Sequence, residues 1–149
     1  MSEDEATNKA TERRFVEEIW NKGNFAVAKE LVTPEYLDHD AMTSGVGPDG
    51  VRQEVSVFRN AFPDLRFAID DMVAEGDKVV TRLTASGTHE GDLPGIPATG
   101  KRVTISGIVI SRYKSGKAAE AWFKFDFLGL YRQLGAIPAR RGAPDDQTR

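Results

Sequence analysis

Residues 65–86, LRFAIDDMVAEGDKVVTRLTAS, decide the fold class. Apolar residues alternate with polar ones from Leu65 to Ile69, which is the pattern of a strand with one buried face. The EGD sequence at 75–77 predicts a hairpin connection into a second strand over about 78–86. Because strands joined by a hairpin run in opposite directions, this stretch predicts an antiparallel sheet.

Helical periods come before this stretch. Four apolar residues share one helical face (Phe15, Val16, Ile19 and Trp20), and four more recur at i, i+4, i+7 and i+11 (Val51, Val55, Phe58 and Phe62). These patterns predict one helix that ends near residues 21–24 and another that Pro63 stops. A short helix over about 25–32 is predicted between them, with Asn24 as its N-cap.

More strands follow the hairpin. Residues 87–100, GTHEGDLPGIPATG, carry four glycines and two prolines, and a loop of this length is typical of a lid or a binding element. Strands are predicted over about 102–113 and from 117 through Asp126, with a closing helical turn over 128–134. Helices followed by hairpin-connected strands predict an α+β fold with an antiparallel sheet and the helices on one face.

Composition limits the classes of function. The chain has 149 residues, 40% of them hydrophobic and 29% charged, which fits a single soluble domain. A net charge of −3 gives no electrostatic reason to expect nucleic acid or a membrane as a partner, and the lack of cysteine excludes disulfides and thiolate sites. The polar first ten residues show no secretory signal, so a cytoplasmic location is predicted. We expect flexible tails at 1–8 and 139–149 around one domain at 9–138.

The stretch WFKFDFLGLYRQLG at 122–135 places one carboxylate, Asp126, among aromatic residues. Such an acid lies either at a surface edge or in a pocket where desolvation raises its pKa and makes it a proton carrier near neutral pH. Strand alternation puts Trp122, Lys124 and Asp126 on one face of the sheet, although alternation does not say which face points inward.

Fragments along most of the chain resemble the SnoaL-like polyketide cyclases of the NTF2-like superfamily. In order, these fragments are FPDL at 62–65, EGD at 75–77, GTH at 87–89, GIPATG at 95–100, GK at 116–117, E-x-W at 120–122, and D-x-LGL-x-x-QLG from 126 to 135. Each fragment is weak alone, but their order and spacing together are fairly specific for the family and much less specific for a reaction.

The resemblance implies a cone, with a strongly curved antiparallel sheet wrapped around N-terminal helices and an internal pocket. It also implies a homodimer or homotetramer and an enzyme without metal or organic cofactor. Relatives of this type close a ring on an aromatic polyketide ester by intramolecular aldol condensation. Their catalytic aspartate matches Asp126, which would take the proton alpha to a carbonyl and return one to the developing alkoxide.

The chain departs from the family at one position. Where the studied cyclases place an assisting histidine, this chain has Arg112, which is always protonated and therefore cannot act as a base. Beside Asp126 it would lower the carboxylate pKa, or hold an anionic group or an oxyanion of the substrate. His39, between Asp38 and Asp40, is the other candidate for an orienting partner, or else a loop histidine stabilised by those two acids.

Four residues are candidates for substrate contact. Trp122 shares a predicted face with Asp126, while Trp20 and Phe58 form either an aromatic wall for a planar ligand or ordinary core. His89 either lines the pocket or orders its loop. The two histidines are not in HxH or HExxH spacing, so no metal site is predicted.

Two other functions fit parts of the sequence. NTF2-like epoxide hydrolases use aspartates with an arginine, and Arg112 with Asp126 fits that chemistry if Asp38 or Asp40 supplies the second aspartate. The other alternative is a non-catalytic module that keeps the cone and binds a small hydrophobic molecule.

Overall fold

A computed structural model describes residues 1–137. Its helices are α1 (Glu3–Arg14), which continues as a π-helical segment (Phe15–Trp20), a 3-10 turn (Phe25–Val27), α2 (Ala28–Leu31), α3 (Gly47–Ala61) and α4 (Phe127–Leu134). Its strands are β1 (Val32–Asp38), β2 (Arg66–Glu75), β3 (Lys78–Thr88), β4 (Arg102–Lys114) and β5 (Lys117–Phe125). This arrangement confirms the α+β class.

The first helix begins earlier than the sequence predicted. The Ser2 side chain accepts a hydrogen bond from the Glu5 backbone N–H, and the Glu5 side chain accepts one from Ser2, so the two form a capping box. Residues 3–8 are therefore helical, and Asn8 is buried. The division into tail, domain and tail stays a prediction, and the predicted tail at 139–149 lies outside the described residues.

The five strands form one curved, unclosed sheet in the order β1-β5-β4-β3-β2. The predicted antiparallel hairpins are confirmed, since β2 pairs with β3, β3 with β4, and β4 with β5 in opposite directions. Strand β1 was not predicted. It runs parallel to β5, with Leu37 opposite Glu120 and Asp38 opposite Ala121.

The helices pack against the concave face of the sheet. One buried cluster joins the helices to the sheet, and its members include Ile19, Leu31, Val55 and Tyr113. A second cluster lies near α4 and the long loop, and its members include Phe62, Leu93, Val103 and Leu130. The space between the helices and the inner sheet face becomes the cavity described below.

The long loop before β4 is tied down at both ends. The backbone N–H of His89 donates to the Lys101 carbonyl at 2.9 Å, and that of Gly100 donates to the His89 carbonyl at 2.8 Å. No helix within residues 1–137 is long and apolar enough to cross a membrane. The cytoplasmic location stays a prediction.

Candidate active site

A cavity lies between the helices and the inner face of the sheet. It holds about 950 Å³ of empty space, counting the part that opens to solvent. Its lining includes nine aromatic residues, which are Phe15, Trp20, Tyr36, Phe58, Phe62, Phe67, Phe123, Phe125 and Phe127. A concave, mostly apolar space with many aromatic residues suits a flat apolar molecule.

The π-helical segment supplies part of this wall. Its characteristic bond runs from the Asn21 N–H to the Val16 carbonyl at 3.0 Å, five residues back. One extra residue in the turn brings Phe15, Val16 and Trp20 to the same side, and all three line the cavity.

Two carboxyl groups line the cavity, and Asp38 is one of them. It lies at the end of β1, two residues after Tyr36, so both side chains point to the inner face. Burial raises the pKa of Asp38 to about 6, although the hydrogen bond from the Asp40 backbone N–H opposes the rise. A carboxyl group with a pKa near 6 exchanges protons readily at neutral pH.

The other carboxyl group belongs to Glu12 on α1, which is buried. Its carboxylate accepts a hydrogen bond from the Tyr113 hydroxyl at 2.5 Å. Burial raises the pKa of Glu12, and the hydrogen bonds from Tyr113 and Ser111 partly offset this. Because its strong hydrogen bond is already made inside the protein, Glu12 is less free than Asp38 to exchange a proton with a ligand.

Tyr36 adds a hydrogen-bond donor beside Asp38. Burial raises the pKa of the Tyr36 hydroxyl well above its usual value, and the carboxylates of Asp38, Glu12 and Glu54 raise it further. The hydroxyl therefore keeps its proton at neutral pH. A protonated hydroxyl in an apolar cavity is suited to stabilise negative charge that develops on an oxygen.

Arg112, His39 and Trp122 lie together, but on the outer face of the sheet. Glu120 joins them, because its carboxylate accepts from Arg112 Nε at 2.8 Å and contacts His39 Nε2 at 2.8 Å. The His39 ring stacks on Trp122 with centroids 4.8 Å apart. None of the three lines the cavity, so this placement does not support their predicted roles in catalysis and substrate binding.

Asp126 also lies outside the cavity lining. It is exposed at the N-cap of α4, where Oδ1 accepts a hydrogen bond from the Gly129 N–H at 2.9 Å. Its own N–H donates to the Ser106 carbonyl, so Asp126 lies opposite Ser106 on β4. The expected neighbour Arg112 is opposite Glu120, six residues and about 20 Å further along β5. A catalytic role for Asp126 stays a prediction.

The remaining predicted residues divide between the cavity and the core. Trp20 and Phe58 both line the cavity, with ring centroids 5.9 Å apart. His89 is fully buried and lies outside the lining, where Nδ1 accepts a hydrogen bond from the Thr99 N–H at 3.2 Å. Its ring packs 5.3 Å from that of Phe62, which itself lines the cavity. Ligand contact by these residues stays a prediction.

No group of three or more potential metal ligands lies together within residues 1–137. A reaction without metal or organic cofactor stays a prediction.

The family model for SnoaL-like polyketide cyclases matches residues 10–134. The chain belongs to this family. It is 33% identical over 127 residues to the aklanonic acid methyl ester cyclase DauD of Streptomyces sp. (strain C5), a match that covers 83% of this chain and 78% of DauD. The nogalonic acid methyl ester cyclase of Streptomyces nogalater is 29% identical over 119 residues, which cover 78% of this chain and 89% of that enzyme.

Solved structures agree with the assignment to the SnoaL-like family. TsrD from Streptomyces laurentii superposes with a TM-score of 0.82 at 33% identity, covering 92% of this chain and 99% of TsrD. The family resemblance and the NTF2-like fold predicted from the sequence are therefore both confirmed.

Sequence reasoning missed the two cavity acids of this SnoaL-like chain as site residues. Glu12 lies three, four and seven residues before Phe15, Val16 and Ile19, so the helical period that identified the apolar face also includes it. The sequence suggested Asp38 only as a neighbour that stabilises His39 and as a second aspartate for epoxide opening. Its signal is the two-residue spacing from Tyr36 to Asp38, which puts both side chains on one face once β1 is recognised as a strand.

Proposed function

We propose that this protein is a cofactor-independent cyclase that closes a ring on an aromatic polyketide ester by intramolecular aldol condensation. The single observation that carries the proposal is a carboxyl group, Asp38, with a pKa raised to about 6 in the lining of a deep aromatic cavity. The substrate class follows from the names of the relatives DauD and the S. nogalater enzyme, both methyl ester cyclases.

Asp38 is the acid/base in this proposal. Its carboxylate takes the proton from the carbon alpha to a carbonyl, and the resulting enolate carbon attacks a second carbonyl carbon of the same molecule. A carbon–carbon bond forms, the attacked oxygen becomes an alkoxide, and Asp38 returns its proton to that oxygen. The Tyr36 hydroxyl donates a hydrogen bond to the oxygen on which negative charge develops.

Epoxide hydrolysis has less support. That chemistry needs a cation beside the aspartates, and no arginine, lysine or histidine from the described part of the chain lines the cavity. Arg112 instead pairs with Glu120 on the outer sheet face.

The test compares the wild type with Asp38→Asn and Asp126→Asn on aromatic polyketide methyl esters, β-keto esters and small epoxides. We expect ring closure on a polyketide ester, a fall in kcat of about 10² to 10⁴ for Asp38→Asn, and nearly unchanged turnover for Asp126→Asn. The reverse result for the two variants would restore Asp126 as the acid/base.

The same panel separates the alternatives. Epoxide opening would show an epoxide hydrolase. If the wild type and both variants bind a compound of the panel tightly but none of them converts it, the protein is a ligand-binding module.

We also propose that the protein assembles as a homodimer or homotetramer through the outer face of β4 and β5. Ile108 and Ile110 on β4 and Leu37 on β1 are exposed there, at 47%, 37% and 37%. Aliphatic residues grouped on an open sheet face favour association, because a second copy removes them from water.

A further inference from the structure

A smaller side cavity adjoins the main one at Asp38. The two share Phe15, Trp20, Tyr36 and Asp38 in their linings, and the side cavity continues to Glu54 on α3. Its outer wall is the loop before α3. The loop and the helix approach so closely that a Cβ on Gly50 would lie 2.5 Å from the Gly45 carbonyl oxygen.

Glu54 is the unexplained group in this side cavity. Its side chain is buried, with a residue exposure of 4%. Oε2 accepts hydrogen bonds from the Met42 N–H at 3.0 Å and the Thr43 hydroxyl at 3.4 Å. Oε1 is buried and has no hydrogen-bond partner within residues 1–137. A buried polar atom without a partner is costly, so a bound group that supplies one gains correspondingly.

We propose that Glu54 determines substrate specificity, with the side cavity receiving a hydroxyl group carried by a fused-ring aromatic substrate whose rings fill the main cavity. The inference rests on the proposed function, because it takes the occupant of the main cavity to be the substrate. Glu54 acts here as a binding residue, and proton transfer stays with Asp38.

The chemistry of the carboxyl group selects a hydroxyl. Burial, and to a lesser extent the nearby Asp38 carboxylate, raise the pKa of Glu54 and so favour its protonated form over the ionised one. A carbonyl of the substrate satisfies Oε1 only when Oε1 carries the proton, and an ammonium group only when it does not. A hydroxyl group donates or accepts as required and satisfies Oε1 in both states.

The test measures binding rather than turnover, using naphthalene and 2-naphthol, which differ by one hydroxyl group. Equilibrium dialysis gives the ratio of their dissociation constants for the wild type, Glu54→Met and Glu54→Gln. A matched control, Glu17→Met, makes the same change at an exposed residue of the π-helical segment. Melting temperatures confirm that each variant is folded.

We expect the wild type and Glu17→Met to prefer 2-naphthol by about tenfold, the effect of one added hydrogen bond to a buried polar group. In Glu54→Met the preference falls to within about twofold. In Glu54→Gln, whose amide can still bond to the hydroxyl, the preference for 2-naphthol should fall by about threefold. This variant tests the inference if Glu54→Met does not fold. An unchanged preference in the folded Glu54 variants, or none in the wild type, would overturn the inference.

Failure here is distinguishable from failure of the proposed function. If the wild type shows no preference for 2-naphthol but ring closure depends on Asp38, only the role of Glu54 is rejected. If the protein prefers 2-naphthol but closes no ring, the role of Glu54 is supported and the cyclase proposal is rejected.

Discussion

At the scale of single residues, the position of a carboxyl group decides whether it can do chemistry. Read along the sequence, Asp126 follows a run of aromatic residues, whereas Asp38 has only Tyr36 close by. In the structure only Asp38 faces the cavity, while Asp126 caps a helix in contact with solvent. Desolvation therefore acts on Asp38 and raises its pKa to about 6.

The raised pKa predicts how activity depends on pH. A base must be ionised to take a proton, so kcat/KM of the wild type should rise as pH increases through about 6 and then level off. Asp38→Asn should remove this rise together with most of the activity. A full pH profile of kcat/KM on a converted ester measures both. A profile that keeps its inflection near pH 6 in Asp38→Asn would assign the titrating group elsewhere.

Stability provides an independent check on the same group. Because the folded protein binds the Asp38 proton more tightly than the unfolded chain does, ionisation of Asp38 opposes folding. Its unfavourable effect is absent below about pH 4, grows between pH 4 and 6 and is complete above pH 6. The stability of Asp38→Asn relative to the wild type should therefore increase across that range. A constant difference in melting temperature from pH 4 to 8 would contradict the raised pKa.

Glu12 and Tyr113 give a third prediction at this scale. Tyr113→Phe removes the donor that bonds to the buried Glu12 carboxylate at 2.5 Å and leaves that oxygen without its partner. We expect the free energy of unfolding to fall by about 1 to 3 kcal/mol in urea titration. Tyr131→Phe removes the same atom from a half-buried tyrosine on α4 and should change stability by less than about 0.5 kcal/mol. Equal effects of the two variants would argue against a special role for the Glu12 bond.

At the scale of elements, the sequence predicted what local patterns encode. The helices near residues 15–20 and 51–62 and strands β2 to β5 follow from apolar periods and from the Gly76 and Gly116 turns, and the structure confirms them. Strand β1 was missed because Pro34 interrupts a short segment with no regular alternation, and its parallel pairing with β5 depends on distant residues.

Strand register explains why Arg112 and Asp126 are not neighbours in the structure. The resemblance to the studied cyclases suggested that Arg112 lies beside Asp126. The tight turn between β4 and β5 instead pairs Arg112 with Glu120 and places Asp126 opposite Ser106. Alternation along a strand also does not show which face of the sheet points inward. In the structure Phe123 lies on the inner face and Trp122 on the outer face.

The capping role of Asp126 predicts how helix α4 responds to mutation. Asp126→Ala removes the acceptor for the Gly129 N–H and should lower the free energy of unfolding by about 1 kcal/mol. Asp126→Asn keeps an N-cap oxygen and should change it by less than half as much. Urea titration of both variants measures this. If Asp126→Ala is as stable as the wild type, the cap does not hold α4.

At the scale of the whole molecule, the two faces of one sheet have different tasks. The inner face, with Phe123 and Phe125, builds the aromatic cavity, whereas the outer face carries the Arg112–Glu120–His39 cluster and exposed isoleucines. The residues that the sequence grouped around Asp126 thus belong mostly to a surface. Their position fits the proposed contact between copies of the chain.

This view predicts that a charge in the centre of the outer face breaks the assembly. Ile110 lies between Val80 and Trp122 on that face. Ile110→Lys would bury an ammonium group at the interface, so we expect the dissociation constant to rise more than tenfold. Sedimentation of the wild type at micromolar concentration should give a dimer or tetramer, and Ile110→Lys a monomer. Leu128→Lys, the same kind of change at an exposed residue of α4, should leave the assembly intact. A wild type that sediments as a monomer, or an Ile110→Lys variant that stays assembled, would show that this face does not hold copies together.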